Sequence, residues 1–211
     1  MTPLVCAVCY DRLRCPNHWT ITSNYSTLAS LYISDLLTNS FMNVKILIFL
    51  HGTSIMHRNA KGLAREEAIR QVMEGNESLH DYESYIPVGN AAKKLRGWKS
   101  QGATICYLSS HKNAEDVEKD KFVLKKYAFP DGQIFYRRNR EEYKDVVERI
   151  RPLPSVIIED NCESIGGKVE MVYPNLKLKI RDKIESIVVK EFAGIDCVPD
   201  EISELMKYNG K

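Results

Sequence analysis

The chain has 211 residues, of which 44% are hydrophobic and 27% charged, enough for one globular domain with a full core. Its formal net charge of +2 gives no bulk electrostatic reason to bind nucleic acid or an anionic membrane. No apolar run approaches the roughly 18 residues that span a bilayer, and the first residues lack the charged start and long apolar core of a secretory leader. The sequence therefore predicts a cytoplasmic protein with no membrane partner, and nothing in it specifies an oligomeric state.

Residues 1–41 differ in composition from the remainder. Their only charged side chains are Asp11, Arg12, Arg14 and Asp35, whereas Lys and Glu become abundant after Met42. The expected organisation is an N-terminal appendage over 1–41, either disordered or a start-site artefact, followed by an α/β domain over 42–211. Within the appendage, Leu28, Leu31, Tyr32 and Leu36 share one face of an expected short helix over 26–38. Cys6, Cys9, Cys15 and His18 offer four zinc-type ligands, but only five residues separate the two pairs, shorter than in common zinc modules. All six cysteines, with Cys106, Cys162 and Cys197, read as free thiols in a cytosolic chain.

Residues 45–50 form a near-continuous apolar run, as expected of a strand buried on both faces of a parallel sheet. The stretch 54–87 reads as a small cap or insert after this strand, without a sheet strand of its own but with a helix over 65–74. It is either a lid over a substrate or a surface elaboration. A helix is predicted over 89–101, with Ala92, Leu95 and Trp98 inward and Gly102 closing it. Residues 104–108 form the second strand. The next helix covers 114–127, with Val117, Phe122, Val123 and Tyr127 available for burial. Strands at 133–136, 155–158 and 184–189 follow, the first two separated by a helix over 141–150 and the last preceded by a polar, helix-like stretch. This alternation predicts a Rossmann-like parallel sheet with helices on both faces, joined by right-handed crossovers.

In such sheets the ligand crevice lies at the carboxyl ends of the strands. Three polar clusters fall there: His51-Gly52-Thr53, Ser109-Ser110-His111 and Glu159-Asp160. A shared pocket is expected. The basic run Arg137, Arg138 and Arg140 reads as a solvated loop, the alternative being an anion-holding patch. Cys162, beside the acidic turn, has no basic neighbour in sequence to make it a nucleophile.

In their order, these clusters resemble the motifs of the haloacid dehalogenase (HAD) superfamily, whose commonest members are magnesium-dependent phosphohydrolases. The resemblance runs from about Val44 to Val189. It implies that Asp160, assisted by Glu159 or Glu163, holds Mg2+; that Ser109, with Ser110, contacts a phosphoryl group; and that Lys144 balances its charge. It also implies that Gly52 and Thr53 shape the substrate site. The first motif departs from the family pattern. Aligning Gly52-Thr53 puts Phe49 at the nucleophilic aspartate and His51 at the acid/base position. No Asp occurs between Met42 and His80. Phe49 cannot attack or bind a metal, whereas His51 can move a proton or draw in a softer ion such as Mn2+ or Zn2+. Two functional expectations follow: a HAD-like phosphohydrolase of altered chemistry acting on a small phosphorylated metabolite, or a catalytically inactive HAD-like domain that binds a phosphorylated ligand or a protein partner.

Overall fold

The computed structural model describes residues 44–63, 67, 70, 81, 84–162 and 170–208. The chain divides into two units, Met1–Met42 and Asn43–Lys211, and the described residues belong to the second. The expected helix over 26–38, the Cys6/Cys9/Cys15/His18 group, Glu163 and most of 65–74 lie outside the described residues; Glu67 and Arg70, which are helical and paired at 2.7 Å, belong to the last of these.

Five strands form one sheet: β1 (Lys45–Phe49), β4 (Thr104–Leu108), β5 (Gln133–Phe135), β6 (Val156–Asp160) and β7 (Glu185–Val189). Their spatial order is β5-β4-β1-β6-β7, and every neighbouring pair is parallel. The chain builds outward from β1 to β5, then returns to the other side of β1 for β6 and β7. This reversal separates connections on opposite sides of β1, the arrangement that opens a crevice beyond the strand ends.

The central strands are apolar on both faces because helices cover both. Ile46 and Ile48 of β1 join a core with Leu95 and Trp98 of α1 (Ala91–Ser100) and Val123 and Leu124 of α2 (Ala114–Lys126). On the other face, Leu47 and Ile157 meet Val146 and Val147 of α3 (Tyr143–Glu148), with Ile184 beside the short α4 (Leu178–Arg181). The fold is thus a Rossmann-like parallel α/β fold. A last short helix, α5 (Ile202–Leu205), contributes Leu205 to the first core.

Local signals explain the helix limits. Gly102 adopts φ +97° just beyond α1, a left-handed conformation that favours glycine and ends the helix. At α2, the Asn113 side chain accepts a hydrogen bond from the Asp116 amide at 2.8 Å, and Glu115 and Asp116 occupy the positive end of the helix dipole.

Two expectations need correction. Residues 54–87 do contain strands: β2 (Ile55–His57) and β3 (Tyr85–Pro87) pair antiparallel as a separate ribbon. Strands this short carry too little alternation to be read from sequence. Phe122, expected inside, is 49% exposed, while Asp120 of the same helix is buried. The inward stripe of α2 runs through Val117, Asp120, Val123 and Leu124, leaving Phe122 on the solvent side.

Leu95→Ala is expected to lower the free energy of unfolding by about 2–5 kcal/mol, through lost burial and the cavity left behind. Phe122→Ala should cost less than about 1 kcal/mol. Denaturant unfolding of both variants checks the assignment of these faces.

Candidate functional site

The loop after β1 turns back sharply against the end of β6. Gly52 adopts φ +88°, and a β-carbon there would lie 2.7 Å from Oδ2 of Asp160. Only glycine allows that approach without displacement. Thr53, fully buried, donates its hydroxyl to the same Oδ2 at 2.6 Å, and the Cys162 amide donates to Oδ1 at 3.0 Å. Burial pushes the Asp160 carboxyl up to about 6, against the lowering effect of Thr53. The first and last strand-end clusters of the sequence therefore meet, one on each side of the β1–β6 pair.

The two acids of β6 do not act together. Successive strand residues point to opposite faces, so Glu159 leaves on the side away from Asp160. It accepts the amides of Val172 at 2.6 Å and Tyr173 at 3.0 Å, and burial pushes its carboxyl up to about 7. Magnesium requires several oxygen ligands in near-octahedral array. Among the described residues beside the end of β6, Asp160 has both oxygens already engaged, and Glu191 acts on it as a like charge. Phe49 offers nothing: its ring packs edge-on against Tyr143, 5.2 Å between centroids. The described residues do not fit a magnesium site.

A second cluster occupies the ends of β1 and β4. His51 Nδ1 lies 2.8 Å from the Ser110 hydroxyl, and its Nε2 lies 3.2 Å from Oδ1 of Asp120. His111 Nε2 approaches the same oxygen at 3.4 Å. Ser109 donates its hydroxyl to Asp120 Oδ2 at 2.6 Å and accepts the His111 amide at 3.1 Å. Burial alone would raise the Asp120 carboxyl, but the two imidazoles and the Ser109 hydroxyl outweigh it and hold the carboxyl well below the usual carboxylate range. The His51 and His111 rings stand 4.7 Å apart at 75°, and Tyr85 of β3 meets the His51 ring edge-on at 5.2 Å.

The structure thus brings together His51, Ser109 and Ser110 on one side of β1, and Gly52, Thr53 and Asp160 on the other. Lys144 belongs to neither group: half-buried on α3, it pairs with Glu142 at 2.7 Å and lines a small recess with Arg137 and Tyr143. The cation that reaches the rim is Arg137, which donates to the Ser110 carbonyl at 3.3 Å and stacks 3.9 Å over the Tyr143 ring. Beyond β6 and β7, an open cleft of about 840 Å³ is lined by Met56, Lys61, Asn161, Lys190 and Phe192 among others. Asp120 received no role from sequence, nor did His111 on its own. The available signal was an acid at a position of α2 that the apolar stripe assigns to the interior.

No family model matches the chain, and no curated protein is similar to it in sequence. Among solved structures, the chain is similar to one in the Pnkp1/Rnl/Hen1 complex, with 14% identity and TM-score 0.44 over 72% of this chain and 48% of that one. A second, from the Pnkp1/Rnl/Hen1 RNA repair complex, gives 16% and 0.44 over 71% of this chain and 44% of that one. The chain spans about half the length of these two. A protein described as a beta-phosphoglucomutase from Thermotoga maritima gives 15% and 0.40, over 78% of this chain and 98% of that one. Among the described residues, no helix is long and apolar enough to cross a membrane.

Glu159 makes stability depend on pH. Its carboxyl rises from an ordinary 4.5 to about 7 in the fold, so ionising it costs the folded state. Its contribution is fully present below the ordinary value and is lost as pH rises through about 7. The unfolding midpoint measured in chelator should fall between about pH 5 and pH 8, and Glu159→Gln should reduce that fall.

Proposed function

We propose that residues 42–211 form a HAD-like hydrolase domain that acts on a small phosphorylated molecule without the family's covalent aspartyl-phosphate step. The observation that carries this reading is the contact between Thr53 and Asp160, 2.6 Å, which joins the first and last motif positions of the resemblance at the rim of a parallel sheet. The rim also gathers the hydroxyl of Ser110, the imidazole of His51 and the cation of Arg137. Lys61 and Lys190 add positive charge to the adjoining cleft, suited to an anionic ligand.

With Phe49 at the nucleophile position, the reaction is direct attack by water. The oxygen of water bonds to phosphorus, the ester oxygen leaves, and the proton released by water is taken up at the His51 side of the rim. A base oriented by a buried carboxylate is a recurrent means of activating such a nucleophile. A second reading, a non-catalytic domain holding a phosphorylated ligand, is favoured by one observation: the Phe49 ring is packed into the core side with Tyr143 rather than replaced by another reactive group.

A panel of phosphoesters assayed with magnesium, manganese and zinc separates the two. The first reading expects turnover that falls by about 100-fold or more in His51→Ala, with no phosphoenzyme trapped on rapid quenching. Ligand binding without turnover establishes the second reading. Turnover equal in wild type and His51→Ala contradicts the proposed site.

A further inference from the structure

We infer that His51, His111 and Asp120 form a binding site for a divalent transition-metal ion of the zinc type. The site goes beyond the hydrolytic reading and does not depend on it.

Three observations carry the inference. The first is composition and convergence. Among the described residues, these three offer one donor atom each, all within 4.8 Å of one another. They come from the end of β1, the loop after β4 and the middle of α2, so the site is held by three separate elements. Two imidazole nitrogens and one carboxylate suit zinc and its first-row neighbours, and suit magnesium poorly.

The second is spacing. Two donors each ~2.1 Å from a tetrahedral ion are ~3.4 Å apart. Oδ1 of Asp120 lies 3.2 Å from His51 Nε2 and 3.4 Å from His111 Nε2. These two separations match two edges of a tetrahedral site. His51 Nε2 is buried, and apart from this approach to Asp120 it has no polar partner.

The third is the support around the donors. The Nδ1 atom of His51 is held by Ser110 Oγ at 2.8 Å, and Oδ2 of Asp120 by Ser109 Oγ at 2.6 Å. Two of the three donor groups, His51 and Asp120, thus use their second polar atom to fix their orientation, as metal ligands commonly do. Asp120 is also a buried negative charge, 2% exposed, for which a divalent cation is an effective counterion. The remaining coordination positions are left for water or an oxygen of a ligand. An ion here would orient and acidify that water.

The test uses the full-length chain stripped with chelator, in a Cys6→Ser/Cys9→Ser/Cys15→Ser background that removes the alternative N-terminal ligands. Co2+ and Zn2+ binding is followed by calorimetry, the Co2+ visible spectrum and thermal stabilisation. The expected result is one ion per chain, a Co2+ spectrum without thiolate charge transfer, and affinity reduced on the order of 100-fold in His51→Ala, His111→Ala and Asp120→Asn. Ser109→Ala, which removes the hydroxyl held by the second oxygen of Asp120 and by the His111 amide, should weaken binding by about 10-fold. Circular dichroism establishes that each variant is folded; His111→Gln replaces any that is not. Absence of binding in the cysteine-free background, or affinity unchanged in the folded histidine variants, overturns the inference and leaves a metal-free histidine pair bridged by a carboxylate. Ion binding without phosphoester turnover contradicts the hydrolytic reading and leaves the metal site standing.

Discussion

A carboxylate buried inside a helix-covered sheet must be answered by groups around it, and Asp120 sets the form of the rim for that reason. Its helix has no polar alternative nearby: the neighbours on the inward stripe are Val117, Val123 and Leu124. The answer comes from the ends of β1 and β4, through Ser109, His51 and His111. Removing one partner would leave a desolvated charge, which is more costly than the loss of an ordinary hydrogen bond. The same carboxylate therefore fixes two loops and two imidazoles.

The chemistry of the rim consequently lies on the β4 side of β1. On the β6 side, Asp160 is committed to Thr53 and the Cys162 amide, and Gly52 is pressed against it. Those contacts join the loops but leave little free coordinating capacity. On the β4 side the donors are nitrogen as well as oxygen, and Arg137 approaches the Ser110 carbonyl there. Phe49 belongs to the same pattern: its ring fills space against Tyr143 and leaves the rim to His51.

Much of the fold was legible because the central strands are buried on both faces. Runs such as Ile46-Leu47-Ile48 and Val156-Ile157-Ile158 need no neighbours to be recognised, and Leu95 and Trp98 mark their helix face directly. The ribbon of β2 and β3 was not legible, since three residues per strand carry no usable period. The site was legible by position and less so by partnership. His51, Ser109, Ser110 and Asp160 stand at strand ends, but adjacency in sequence made Glu159 look like a companion of Asp160, when strand alternation sends it to the other face. Lys144 offered the right charge, but its ammonium is taken by Glu142, the N-cap of the same helix. Asp120 was hidden by its type, because an acid on a charged helix reads as surface until the partners that bury it are known.

The most direct measurement is an anomalous difference map from crystals of the chelator-stripped chain soaked in zinc. The account predicts a peak within bonding distance of His51 Nε2, His111 Nε2 and Asp120 Oδ1. A peak on Asp160 instead, or an unoccupied cluster with zinc bound elsewhere in the same crystal, would contradict it.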